Sequence, residues 1–143
     1  MSSLEKAIQI AAWAHENQLD KGGQPYILHP LRVMLAVTTP HERMAAVLHD
    51  VVEDSKVKLF DLEDENFPVE VVDAIFALTK TAGEGRIAAA HRAAANPIAR
   101  VVKLADVADN MNLARIPKPT KKDFARLKEY EQVRAILLQG TPL

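Results

Sequence analysis

The chain has 143 residues, with 18 Lys and Arg residues, 19 Asp and Glu residues and a formal net charge of −1. A domain of this size buries roughly 70% of its unfolded surface, so we expect one domain, residues 1–143, that folds without disulfide or metal staples. The absence of cysteine excludes a disulfide framework and a zinc–thiolate site. The balanced, interspersed charges argue against a nucleic-acid partner and against a polybasic membrane anchor. We therefore expect a small-molecule ligand, no nucleic acid and no membrane.

The N-terminal segment gives an expectation about location. It carries charges at Glu5 and Lys6 and has no apolar run of secretory or membrane-spanning length. We therefore expect a cytoplasmic protein. The sequence leaves its oligomeric state open.

Apolar residues recur at three- and four-residue spacing along most of the chain, which is typical of helices with one buried face. Hydroxyl side chains at Ser3 and Thr120 can cap the first and last helices, and prolines fit the first turns of several helices between them. In chain order, the predicted helical segments are 3–18, 31–37, 40–52, 58–63, 68–78, an alanine-rich stretch at 87–95, 97 to about 115, and 121–138.

Glycines and prolines mark the loops between these segments. Residues 20–25 contain paired glycines and a proline, and 81–85 form a second loop that contains glycine. The tail at about 139–143 is expected to be loose. Strands are improbable, and no repeat or long linker divides the chain. The sequence therefore predicts an all-α fold, a single compact helical bundle, with Trp13 in its core.

Two polar pairs, His49-Asp50 and Glu53-Asp54, interrupt the apolar pattern of 45–54. On a continuous helix, four-residue spacing places His49 above Glu53 and Asp50 above Asp54, so imidazole and carboxylates converge on one wall. Burying these groups unpaired would be costly, and a divalent cation would satisfy them.

His29 and Asp106 extend this set. His29 lies at the start of the second predicted helix, and Asp106 interrupts the apolar run at 101–105. Two imidazoles and two carboxylates suit manganese, iron or zinc better than calcium, and manganese is our first choice. Spacing alone supports equally well an internal His49–Asp50 ion pair, with His29 and Asp106 as unrelated polar residues.

Four short strings favour the metal interpretation over the internal ion pair. They are AHENQ at 14–18, GQPYILHP at 23–30, LHDVVED at 48–54 and VKLADVADN at 102–110. In this order, they resemble the hydrolase domain of the RelA/SpoT family, within the HD superfamily of metal-dependent phosphohydrolases, and especially the small alarmone hydrolases. The resemblance spans most of the chain, from Ala7 to about Tyr130.

The resemblance implies an HD-type helical bundle that uses manganese to hydrolyse the 3′-diphosphate of guanosine tetra- or pentaphosphate, releasing pyrophosphate. It also implies roles for individual residues. The metal ligands would be His29, His49, Asp50 and Asp106, the residues that orient or deprotonate water would be Glu53 and Asp54, and the substrate-binding residues would be Lys21, Lys80, Asn110, Arg126 and Tyr130. Arg32, one turn after His29, could instead support the metal ligands.

The sequence departs from the family at Asp20, where an arginine typically precedes the lysine that matches Lys21. An arginine at this place can pack on the guanine base, whereas aspartate offers neither the plane nor the charge. We therefore expect weakened guanine recognition and a gain of binding in Asp20→Arg. The short stretch at 83–91 also predicts a reduced segment over the substrate. Two alternatives follow: an HD phosphohydrolase of another phosphorylated nucleotide, or a non-catalytic nucleotide-binding module.

Overall fold

The structure is a computed structural model that describes residues 3–139. Of the predicted loose tail at about 139–143, Gln139 is the last residue of a helix, and the rest lies outside the described residues. Within that range the chain is helical with no strand, apart from one isolated bridge between Leu19 and Pro25. The all-α prediction is confirmed. The helices are α1 (Leu4–Ala14), α2 (Leu28–Ala36), α3 (Pro40–Leu48), α4 (Val51–Asp54), α5 (Leu59–Asp64), α6 (Val69–Leu78), α7 (Arg86–Ala94), α8 (Pro97–Asn110) and α9 (Lys121–Gln139), with a 3₁₀ turn at Leu113–Arg115.

Side chains next to the helices fix several of their starting points, as the sequence predicted. Ser3 Oγ accepts a hydrogen bond from the Lys6 amide at 3.2 Å. Thr120 Oγ1 accepts one from the Asp123 amide at 3.3 Å, and the Asp123 carboxylate accepts one in return from the Thr120 amide at 2.8 Å. Such caps satisfy amides that have no partner within the helix.

Helix α3 lies at the centre of the bundle and packs against α1, α2, α6 and α8. Its last four residues, Ala45, Ala46, Val47 and Leu48, are fully buried. Small side chains at the first two of these positions let the neighbouring helices approach closely, because interiors are packed nearly as densely as organic crystals. The C-terminal end of α3 is thereby held against α2 and α8, the two helices that carry His29 and Asp106.

The structure corrects four of the predicted helix boundaries. The first helix ends at Ala14 rather than at 18, and the second begins at Leu28, which places His29 in its first turn. The predicted helix at 40–52 is broken, because α3 ends at Leu48 and α4 begins at Val51. The helix predicted to reach about 115 ends at Asn110, before the 3₁₀ turn.

Trp13 is 64% exposed, so its placement in the core was wrong. The buried face of α1 is formed by Ala7 and Ala11. Position 13 is two residues beyond Ala11, which on a helix of 3.6 residues per turn points to the opposite side. Among the described residues, none of the helices has the length and apolar character needed to cross a membrane.

Candidate metal centre and adjoining cavity

The turn between α3 and α4 brings His49 and Asp50 next to His29. One ligand atom from each of these three residues lies within 4.8 Å of the others. Asp50 Oδ2 is 3.0 Å from His49 Nε2 and 3.8 Å from His29 Nε2. Three of the four predicted ligands therefore converge, although His49 and Asp50 lie in a turn between two helices rather than on the continuous helix that the sequence predicted.

Asp106, the fourth predicted ligand, reaches the same place from α8. Its Oδ1 lies 2.8 Å from His29 Nε2 and 3.3 Å from His49 Nε2. Its other oxygen accepts a hydrogen bond from Lys103 Nζ at 2.9 Å. Asp106 thus contacts both imidazoles while sharing its carboxylate with a lysine one turn earlier on α8.

Hydrogen bonds on the far edges of the rings fix which histidine nitrogen faces the centre. His49 Nδ1 donates to the Ala46 carbonyl at 2.5 Å, and His29 Nδ1 donates to Asp109 Oδ2 at 2.6 Å. Each ring therefore turns Nε2 toward Asp50 and Asp106, where a neutral ring would offer its lone pair to a cation. A partner on the second ring nitrogen is typical of histidines that bind metals.

Asp109 is the principal site residue that sequence reasoning missed. Besides contacting His29, its carboxylate accepts two hydrogen bonds from Arg32, from Nε at 2.8 Å and from Nη2 at 3.0 Å. Arg32 therefore supports His29 through Asp109, which bears out the supporting role considered for it. The available signal was the three-residue spacing of Asp106 and Asp109, which places both carboxylates on one face of α8.

Tyr26 is a second missed residue. Its hydroxyl donates to Asp50 Oδ2 at 2.6 Å and so orients the carboxylate. Tyr26 also lies beside the buried His15, with 5.0 Å between their ring centroids. His15 Nδ1 lies 3.0 Å from Gln18 Oε1.

The electrostatics of the buried cluster favour ionised carboxylates. Burial alone raises the pKa of Asp50, but the adjacent His49 outweighs burial and holds it at about 2. Burial likewise opposes ionisation of Asp106, whereas Lys103 and the two imidazoles hold its pKa well below the usual range. Burial lowers the pKa of His49, and the contacts with Asp50 and Asp106 outweigh it and raise the pKa well above its usual value. Ionised carboxylates beside inward-facing imidazole nitrogens fit a divalent cation.

A cavity of about 230 Å³ adjoins the centre at His29. Four of the five predicted substrate-binding residues line it, namely Lys21, Asn110, Arg126 and Tyr130. Lys21 Nζ is 3.4 Å from the buried Asp123 carboxylate, and Asn110 Nδ2 donates to Asp106 Oδ1 at 3.2 Å. The C-terminal helix and the loop at 20–25 therefore bring basic and polar side chains to the edge of the candidate metal centre.

Lys80 and Glu53 lie at a second, smaller cavity of about 40 Å³, whose lining also includes His49, Asp50 and Lys103. The Lys80 amide donates to Glu53 Oε1. Lys80 is therefore separated from the other predicted substrate-binding residues, while remaining next to the centre.

Asp54 lines neither of these two cavities. Partial burial and the neighbouring carboxylates of Asp50 and Glu53 raise the pKa of Asp54 to about 6. A carboxylate with this pKa can accept a proton near neutral pH.

Asp20 has a different role from the one its sequence position predicted. Its Oδ1 accepts hydrogen bonds from the amides of Gly22 at 2.8 Å and Gln24 at 2.9 Å. Its Oδ2 lies 3.5 Å from Nη1 of Arg115, a cavity-lining residue that the sequence did not single out. The carboxylate therefore organises the loop at 20–25 and pairs with a guanidinium, so it does not stand alone facing the cavity.

Comparison with known proteins bears on this geometry. No protein-family model matches the chain. A GTP pyrophosphokinase of Streptomyces coelicolor is 36% identical over 135 residues, covering 86% of this chain and 16% of that protein. A guanosine-3′,5′-bis(diphosphate) 3′-pyrophosphohydrolase of Vibrio cholerae is 34% identical over 137 residues, covering 85% of this chain and 19% of that protein. The chain spans less than a fifth of the length of these two curated relatives.

A solved structure supplies the decisive comparison. It is described as a metazoan orthologue of SpoT that hydrolyses ppGpp and plays a role in starvation responses. It matches this chain with a TM-score of 0.79 and 26% identity, covering 98% of this chain and 85% of that chain. The resemblance to the RelA/SpoT hydrolase domain is confirmed. The match confirms the expected all-α, HD-type fold. The convergence of His29, His49 and Asp50 agrees with use of a divalent metal.

Proposed function

We propose that the chain is a manganese-dependent hydrolase that releases pyrophosphate from the 3′ position of guanosine 3′,5′-bis(diphosphate), and that residues 1–143 form a single HD-type domain. The observation that carries this proposal is the convergence of His29, His49 and Asp50 within 4.8 Å beside a cavity lined by basic side chains. The names of the bacterial relatives and of the matching solved structure point to the same class of substrate.

In this proposal, His29, His49, Asp50 and Asp106 hold the ion. When bound, a divalent ion lowers the pKa of a bound water and polarises a phosphoryl oxygen. The hydrogen bonds of His29 to Asp109 and of His49 to the Ala46 carbonyl keep both Nε2 atoms turned toward it. The ring orientations therefore do not have to be set when the ion enters.

Glu53 and Asp54 handle the attacking water. Asp54, with its pKa raised to about 6, accepts the water proton as the oxygen attacks phosphorus and the bond to the ribose 3′ oxygen breaks. The released 3′ oxygen takes a proton from solvent, so that the products are pyrophosphate and a nucleotide with a free 3′-hydroxyl. Glu53 orients the water, because its carboxylate is already held by the amide of Lys80 next to the smaller cavity. The acid–base work is thus assigned to residues that are separate from the four ligands.

The remaining polar residues bind the substrate. Arg126, Lys21 and Tyr130 contact the phosphates from the larger cavity, and Lys80 contacts them from the smaller one. Asn110 lies next to the nucleoside and is held by Asp106. Arginine can grip a phosphate with two parallel hydrogen bonds, whereas lysine supplies a point charge.

The test is release of pyrophosphate or phosphate from a panel of nucleotides with and without added manganese. We expect manganese-dependent pyrophosphate release from guanosine 3′,5′-bis(diphosphate). Asp50→Ala should lose both the metal and turnover, whereas Glu53→Gln should keep the metal and lose mainly turnover. Preferred turnover of a different nucleotide would support another HD phosphohydrolase activity. Nucleotide binding without release of any product would support a binding module and refute the proposal.

A further inference from the structure

Arg115 closes the 3₁₀ turn after α8, and its side chain lines the larger cavity. Its Nη2 donates to the Asp109 carbonyl at 2.9 Å and lies 3.4 Å from the Asp109 carboxylate. Its Nη1 lies 3.5 Å from Asp20 Oδ2. The guanidinium is therefore held along its edges by two residues from different parts of the chain.

The cavity that Arg115 lines also contains apolar residues. Leu113 and Ile116, its neighbours in the chain, line this cavity, as does Leu19, the neighbour of Asp20. Arg126, Lys21 and Tyr130 contribute charged and hydroxyl groups from the loop and α9. Apolar side chains in the same cavity as a planar cation are suited to a flat aromatic group of a ligand that also carries phosphates.

The pairing of Arg115 also disfavours a phosphate role. Two carboxylates, Asp20 and Asp109, already balance its charge, which weakens its attraction for an anion. An edge-paired guanidinium keeps its flat faces for stacking.

We propose that Arg115 is a substrate-binding residue that stacks on the purine base, and that Asp20 acts as its positioning residue. The inference rests on the proposed function for the nature of the ligand. In this inference, Arg115 in the turn after α8 supplies a planar cation, which the loop at 20–25 lacks. Stacking tolerates different purines because each has a π-face, so guanine and adenine nucleotides should both depend on Arg115.

The test compares wild-type protein with Arg115→Lys, which keeps the charge and loses the plane. Arg134→Lys, at an exposed position of α9, is the matched control. We expect KM for guanosine and adenosine 3′,5′-bis(diphosphate) to rise about five- to tenfold in Arg115→Lys, with kcat changed less than about twofold. The inhibition constant of inorganic pyrophosphate should stay the same. Asp20→Asn should raise both KM values by a smaller factor, because it removes the charge that holds Arg115.

Calorimetric titration of the two nucleotides into manganese-loaded protein separates this inference from the proposed function. If the wild-type protein hydrolyses neither nucleotide but Arg115→Lys binds both more weakly than the wild type, the proposed function is refuted and the role of Arg115 is supported. Hydrolysis by the wild type with unchanged affinities in Arg115→Lys would overturn the role of Arg115. A parallel loss of pyrophosphate affinity, or a loss confined to guanine, would also overturn stacking. A midpoint of thermal unfolding in Arg115→Lys equal to that of the wild type excludes a general structural defect.

Discussion

Asp109 Oδ2 lies 2.6 Å from Nδ1 of His29, on the edge of the ring opposite the candidate metal centre. The contact joins α8 to the first turn of α2, and Arg32 holds the same carboxylate with two hydrogen bonds. It fixes both the orientation of the ring and the nitrogen that faces Asp50. Partners of this kind usually contribute to metal affinity although they do not touch the ion.

We expect Asp109→Asn to lower manganese affinity about ten- to one-hundredfold, because the amide carries no charge to hold His29 and Arg32. Isothermal titration with manganese measures this directly. Asp73→Asn, on the exposed side of α6, is the control and should bind manganese like the wild type. Equal affinity in Asp109→Asn and the wild type would show that the ring needs no such support.

The pH dependence of turnover should report Asp54. The proton acceptor must be ionised, so kcat rises with pH through the pKa of Asp54, which stands at about 6, and then levels off. A bound divalent cation lowers that pKa, so at saturating manganese the midpoint lies at or below about pH 6. Asp54→Asn should abolish the ascending limb and reduce kcat about one hundredfold or more. Asp64→Asn serves as the control. If kcat of Asp54→Asn rose with pH along the same ascending limb, another group would be the proton acceptor.

Asp20→Arg should weaken the site rather than improve it, contrary to the expectation from sequence. The substitution removes the acceptor for the amides of Gly22 and Gln24 and places a second guanidinium beside Arg115. We expect a higher KM for guanosine 3′,5′-bis(diphosphate) and a lower free energy of unfolding, by about 1–2 kcal/mol. Urea denaturation and steady-state kinetics measure both. A lower KM in Asp20→Arg would restore the original interpretation of this position.

Gly22→Ala tests the contact between the loop at 20–25 and the 3₁₀ turn. An added Cβ would lie 2.2 Å from the backbone oxygen of Arg115, which no side-chain rotation can relieve. We expect the free energy of unfolding to fall by about 1–3 kcal/mol. Gly85→Ala is the control, because a Cβ there meets nothing within 4 Å. Equal losses of stability in the two variants would contradict the close approach.

The helical character and the residues that converge at the candidate metal centre could be predicted from the sequence because both leave local patterns. Apolar spacing marks each helix, and the strings around His29, His49 and Asp106 carry the resemblance. The break after Leu48 could not be predicted in this way, since the apolar pattern continues through it. It is stabilised by the His49 Nδ1 bond to the Ala46 carbonyl and by Asp106, which lies 57 positions away in the chain.

Asp109 and Arg115 were missed for the same physical reason. The partner of Asp109 is His29, 80 positions earlier, and the partner of Arg115 is Asp20, 95 positions earlier. Spacing along one helix can place Asp109 on the same face as Asp106, but it does not identify the distant partner of Asp109 or of Arg115. The departure at Asp20 can be seen in the sequence. Its contact with Arg115 can be seen only in the structure, where the turn after α8 lies beside the loop at 20–25.

The ion pair between Lys103 and Asp106 has a consequence for the order in which the site is loaded. Of the three carboxylates that contact His29 and His49, Asp106 pairs with Lys103, and Asp109 pairs with both Arg32 and Arg115. Arg115 also pairs with Asp20. With neutral imidazoles, the carboxylates of Asp20, Asp50, Asp106 and Asp109 and the three cations leave this group with a formal charge of −1, so it exerts no pull on a polyanion. A divalent ion changes this charge to +1 in a buried setting, where electrostatic attraction is strong. We therefore expect the cation to enter first and to favour binding of the nucleotide, which in turn slows the departure of the cation.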